Sequence, residues 1–245
     1  MHLQVAEQIR LSDRLSPSLH DYLTAEWPAF YLGSVAADYQ TICDIPRSQT
    51  HFYRLPPKPG VAAHKSMLAA HPELTAAAVR SPGQAAFVAA YSVHLMLDVR
   101  WHREVMTPLF LQSDLWDGHR ERFVSHNILL TYLDHLALAT LPENAGDILA
   151  AATARGWLPF ALDGDLERWQ MMLIEQLLPG GVGPQTIPIF AQRMGMTPEQ
   201  FACCLDDPEW MDREVFAKVP LNVVQALMTT AVVDSIELIK DYFDQ

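Results

Sequence analysis

Apolar residues recur along nearly the whole chain at helical spacing, three and four positions apart, rather than in alternation. The pattern predicts helices over about 2–12, 16–25, 28–41, 61–79, 83–111, 118–137, 144–155, 163–177, 186–194, 197–205, 208–216 and 219–243. Breakers separate them: Pro56-Pro57-Lys58-Pro59, Ser81-Pro82-Gly83, Leu141-Pro142 and the run from Pro179 to Pro184. Ser81 is placed to cap the helix that Pro82 enters, and Thr197-Pro198-Glu199 repeats that start signal. The glycines at 180, 181 and 183 lack the Lys-Ser/Thr of a phosphate-binding loop and follow a helix, so a helix–helix connector is expected there. No segment reads as a strand and no period repeats. The expected fold is all-α.

Two apolar windows, 85–97 and 219–239, are interrupted by His94 and by Asn222, Gln225 and Asp234. Both fall short of the ~20 predominantly apolar residues of a spanning helix. The first ten residues are amphipathic and lack the basic start and apolar run of a signal peptide, so a soluble, cytoplasmic protein is expected. Half the residues are apolar, enough for a sizeable core without disulfides. Cys43, Cys203 and Cys204 form no CxxC pair; buried free thiols in a reducing compartment are the expectation.

Charge changes the picture further. Residues 1–135 hold 11 Lys+Arg against 13 Asp+Glu, and residues 136–245 hold 6 against 16, within a net charge of −12. An acidic surface disfavours polyanions, so nucleic acid is an unexpected partner, although a buried cationic cluster can still hold one phosphate.

All ten histidines fall at or before residue 135. His94, Asp98 and His102 stand at i, i+4 and i+8. On a helix, His94 and Asp98 lie about 40° apart and ~6 Å along the axis, on one face and able to share an ion. His102 lies ~12 Å from His94, a long reach for the same ion, with Asp98 midway. A carboxylate there has an oxygen for each of two ions, and dinuclear hydrolases hold their metals ~3.5–4 Å apart. Val93, Leu95, Met96, Leu97 and Val99 make this helix apolar nearly all round, so a buried aspartate and two histidines need a metal or a salt-linked core network. Upstream, small residues at 33, 34, 36 and 37 allow close helix packing before Asp38, and His51 follows a turn through Pro46-Arg47-Ser48. Alone, Asp38 reads as a solvated helix residue and His51 as a weak signal. His20, His64, His71 and His135 have no ligand-like partner.

Taken together, His2, Gly33-Ser34-Val35-Ala36-Ala37-Asp38, Thr50-His51-Phe52 and His94-Leu95-Met96-Leu97-Asp98 followed by Trp101-His102 resemble the zinc-dependent phospholipase C-like family, related to helical zinc-dependent nucleases. The resemblance covers roughly residues 1–135. It implies an all-α fold, a compact multi-helix domain whose metal-binding core spans 1–137; the charge pattern makes 138–245 an acidic helical part, expected to pack on that core as one domain. It also implies a cluster of two zinc ions, within a range of one to three. Asp38, His51, His94 and Asp98 would hold one ion; Asp98 would bridge to another near His2, to which the terminal amine could add. The family's downstream His-x-x-x-Glu or His-x-x-x-Asp pair is missing, because Phe123 follows His119 by four and Leu130 follows His126 by four. His102 with His126 is left as a partial site. Ala37 stands where many relatives carry proline.

The resemblance implies a metal-dependent phosphoester hydrolase in which Asp38 orients or deprotonates the attacking water. A phospholipid or another small phosphoester is the expected partner, and the sequence leaves a monomer and a dimer both open. A single-strand nuclease and a metal-stabilised helical scaffold without turnover are the alternatives. The HD-domain hydrolases need more than His20-Asp21, whose surroundings look exposed.

Overall fold

The computed structural model describes residues 1–75, 77, 80–178 and 186–244, the side chain of Thr186 excepted. The glycine-run connector and the end of the 61–79 helix lie outside these residues. Among them the chain forms thirteen α-helices and no strand, in one all-α domain. These are α1 (His2–Arg10), α2 (Pro17–Ala25), α3 (Trp27–Ala36), α4 (Arg47–His51), α5 (Ala63–Ala70), α6 (Pro82–Trp101) and α7 (His119–Leu138). There follow α8 (Ala145–Ala150), α9 (Asp163–Leu177), α10 (Thr186–Arg193), α11 (Pro198–Leu205), α12 (Pro208–Trp210) and α13 (Leu221–Phe243).

The start signals act as their chemistry requires. Ser81 Oγ accepts from the Gln84 amide, and Thr197 and Gln200 satisfy each other's backbone in a capping box. Four predicted helices are interrupted. The 28–41 helix tightens at Ala37 into a 3₁₀ segment that carries Asp38. The 83–111 helix widens after Trp101 into a π-helix, His102–Leu111, around Pro108. Proline has no amide hydrogen and crowds the carbonyl four residues back, so the α register cannot continue there. The 61–79 helix stops at Ala70, because Pro72 forces His71 out of the α region. Over 208–216, α12 gives way to a second π-helix, Met211–Phe216.

The frame of the molecule is the pair α3 and α6. Helix α6 is buried almost all round, as its apolar sequence requires: Phe87, Val88, Ala89, Ala90, Tyr91 and Leu95 have no exposed surface. Gly33 lets α3 approach it, since a β-carbon there would stand 2.3 Å from the Phe87 carbonyl oxygen. The C-terminal helices close around this pair. Trp169 on α9 donates its indole N–H to the Val35 carbonyl at 2.8 Å. Helix α13 packs along α6, where Arg100 reaches Asp234 at 2.6 Å and Thr230 at 2.8 Å.

Candidate metal centre

Four separate pieces of chain deliver side chains to one point. α6 supplies His94 and Asp98, the 3₁₀ segment after α3 supplies Asp38, α4 supplies His51 and α1 supplies His2. The one-turn helix α4 was read from the sequence only as a turn. It starts after Pro46 and ends at Phe52, whose φ of 58° is left-handed and reverses the chain. Tyr91 of α6 donates to the Thr50 carbonyl at 2.8 Å, pinning the turn that carries His51.

Both buried imidazoles are fixed through Nδ1. His94 Nδ1 lies 2.9 Å from the Ser34 carbonyl, and a carbonyl only accepts, so Nδ1 carries the hydrogen. His51 Nδ1 lies 2.7 Å from Thr50 Oγ1, whose own hydrogen goes to the Arg47 carbonyl at 3.2 Å. In the neutral rings each Nε2 therefore presents a lone pair, and both point at carboxylates. His51 Nε2 is 3.1 Å from Asp98 Oδ2 and 3.4 Å from Asp38 Oδ1; His94 Nε2 is 3.8 Å from Asp98 Oδ2 and 3.8 Å from Asp38 Oδ2. Neither Nε2 has a hydrogen-bond partner, and both are fully buried. Lone pairs facing carboxylate oxygens repel unless a proton or a metal cation lies between them.

The electrostatics separate those two outcomes at His94. Burial, then the neighbouring His2, pushes its pKa down to about 4, despite the opposing pull of Asp38 and Asp98. At neutral pH no proton fills the gap. His51 behaves differently: burial would lower it, but contacts with Asp38 and Asp98 outweigh that and raise it. Burial alone would raise the Asp38 carboxyl; His94, followed by His51, holds it well below the usual range. Asp98 is depressed in the same way, by His94, His2, His51 and the Arg47 guanidinium acting against burial.

Two overlapping triads have the spacing to hold a metal ion: His51, His94 and Asp98, and His2, Asp38 and His94. Around a tetrahedral ion with ligand distances near 2.0–2.2 Å, ligand atoms stand roughly 3.3 Å apart, close to the separations found here. The donors suit a divalent transition metal, imidazole nitrogen with carboxylate oxygen. His94 belongs to both triads but has one free lone pair, so it can serve one ion at a time. Asp98 can serve two, because Oδ2 faces His51 and His94 while Oδ1 lies 3.5 Å from His2 Nε2. The His2 ring stacks on His94, centroids 3.8 Å apart. The amino group of Met1 turns away to pair with Asp134 at 2.6 Å.

His102 and His126 join neither triad among the described residues. His102 begins the π-helix and meets Tyr53 edge-on, with burial and then Arg47 lowering its pKa to about 4. His126 on α7 accepts the Trp101 indole hydrogen at Nε2, at 2.9 Å, and that lone pair is occupied. Burial, followed by His102, takes its pKa down to about 3.

The sequence reading missed Arg47. Its guanidinium donates to Asp98 Oδ2 and rests over the Tyr53 ring at 5.0 Å. The signal was present: Arg47 precedes His51 by four residues, which is one face of a single helical turn.

The cluster opens into a cleft of about 390 Å³. Asp38, Asp98, Arg47 and His2 line its polar end. Leu97, Leu130, Leu141, Leu173, Leu177 and Phe190 build apolar walls, so the acidic C-terminal helices contribute an apolar surface at this place. No family model, curated protein or solved structure matches the chain.

Proposed function

We propose that the protein is a metal-dependent phosphoester hydrolase, with zinc as its metal. The observation that carries this is the convergence of the His51 and His94 Nε2 lone pairs on the oxygens of Asp38 and Asp98, at the end of a cleft. The donor set fits zinc, and Asp98 would bridge a first ion held with Asp38, His51 and His94 to a second beside His2. When bound, zinc lowers the pKa of a coordinated water toward 7 and offsets charge on phosphoryl oxygens. The chain's own contributions follow from its geometry. Ser34 and Thr50 keep the two imidazoles in the ligating tautomer. Asp38, partly exposed at the cleft, can orient the attacking water by accepting a hydrogen bond from it. The apolar walls exclude bulk water and accept the hydrocarbon part of a phospholipid or of another phosphoester with an apolar arm.

Purified protein should carry zinc, hydrolyse a bis(p-nitrophenyl) phosphate or phosphatidylcholine panel, lose activity on chelation and regain it on zinc return. Zinc-loaded protein that hydrolyses neither would support the scaffold reading, in which chelation lowers thermal stability alone.

A further inference from the structure

Asp98 Oδ2 is contested. It is the oxygen that faces His51 Nε2 at 3.1 Å and His94 Nε2 at 3.8 Å, the position from which it would share an ion with both. The same oxygen accepts the Arg47 Nη2 hydrogen. A guanidinium in contact with this oxygen and a divalent ion bound to it would set two cations side by side in a buried, low-dielectric place. One must yield. Arg47 has somewhere to go: its guanidinium lies over the face of Tyr53, a buried ring that keeps a cation stabilised as it slides off the carboxylate. Its Nη1 has no hydrogen-bond partner, and Arg47 itself lines the cleft beside Asp38 and Asp98.

We propose that Arg47 is the anion-binding residue of this site, closing Asp98 in the metal-free protein and turning to the phosphoryl oxygens of the substrate once a metal takes its place. The inference rests on the metal reading above and deepens it. A guanidinium offers paired N–H donors that match two phosphate oxygens, and its charge persists at any working pH. The exchange makes metal and phosphate binding cooperative: zinc frees Arg47 from Asp98, and the freed Arg47 holds the anion. Without zinc, inorganic phosphate finds Arg47 already paired.

The test uses the whole chain, zinc and inorganic phosphate. Zinc affinity is measured by competition with a chromogenic chelator, and phosphate affinity by calorimetry on metal-free and zinc-loaded protein, for wild type, Arg47→Gln and Arg47→Lys. Removing a charge-assisted pair is worth about tenfold or more in affinity. Arg47→Gln should bind zinc about tenfold more tightly, since the competitor is gone, and zinc-loaded Arg47→Gln should bind phosphate about tenfold more weakly. Arg47→Lys keeps the charge and so protects folding, but it loses the paired donors. Its zinc-loaded form should bind phosphate roughly fivefold more weakly than wild type. Zinc-loaded variants that bind phosphate within twofold of wild type overturn the inference while leaving the metal reading standing. Weaker zinc binding by Arg47→Gln also overturns it, by making Arg47 a support of the site rather than a competitor. Wild-type protein that binds no zinc overturns both.

Discussion

Replacing Gly33 by alanine places a methyl carbon 2.3 Å from the Phe87 carbonyl oxygen and 3.0 Å from the Ala90 β-carbon. Ordinary contact begins at 3.4 Å, so α3 and α6 must separate by close to an ångström on the Phe87 side. Neither helix can absorb this with a side chain, because the first obstacle is backbone in a helix with no exposed surface at Phe87. Overpacking of a tight core costs about 1–3 kcal/mol, and a backbone obstacle belongs at the upper end. For a chain of this size ~3 kcal/mol lowers the melting temperature by roughly 6–12 °C. The consequence reaches the candidate metal centre, because the 2.9 Å bond from His94 Nδ1 to the Ser34 carbonyl spans the two helices one residue beyond Gly33. Opening it releases the His94 ring, so zinc affinity should fall with stability. Calorimetry with zinc titration measures both. Gly164→Ala is the control, an exposed helical glycine with open space around its missing β-carbon, and should be neutral or slightly stabilising. If Gly33→Ala melts within 2 °C of wild type, the close approach does not bind the two helices as argued.

Acidification tests a half-buried histidine. His126 is held neutral, near a pKa of about 3, whereas an unfolded histidine titrates near 6.5. Its contribution is therefore complete above pH ~6.5 and is lost as pH falls from there toward ~3. Between pH 7.5 and 5 the loss is about 2 kcal/mol, and denaturant midpoints of metal-free wild type and His126→Gln should differ in pH dependence by that amount. Parallel pH profiles would contradict it. Trp169→Phe leaves the Val35 carbonyl without its buried donor and should cost about 1–3 kcal/mol by urea denaturation. An unchanged midpoint would show that α9 is not tied to α3 through this bond. Thr197→Ala removes the hydroxyl half of a capping box, the acceptor of the Gln200 amide hydrogen, and should cost about 1 kcal/mol by the same measurement, and no loss would deny the cap a role.

Much of this architecture could be read from the chain because its helices carry their own punctuation. Ser81-Pro82, Thr197-Pro198 and the 163–177 pattern fall where the structure starts or bounds a helix. The small residues before Asp38 forecast close packing, and Gly33 against Phe87 is its physical form. Periodicity could not reveal α4, since five residues make little more than one turn. Nor could it separate α-helix from the π-helix at His102–Leu111, where an apolar stripe continues while the backbone register changes. The His/Asp cluster was visible as a set of residue types, but that His102 and His126 stand outside both triads is a matter of coordinates. The Trp101 indole that occupies His126 is a partner no spacing rule predicts. Arg47 lies in the Pro46-Arg47-Ser48 segment, which reads as a turn, and its pairing with Asp98 spans 51 residues of sequence.

The most direct measurement is elemental analysis of metal per chain for wild type and Asp98→Asn, both exchanged into metal-free buffer and then given zinc. Asp98 meets three histidines through two different oxygens, so its charge and its bridging capacity are what the account depends on. Wild type should retain at least one zinc per chain, and two if Asp98 bridges as proposed. Asp98→Asn should retain fewer while keeping the helical circular dichroism of the wild type. Equal zinc retention by the two proteins, or none by either, would contradict the account.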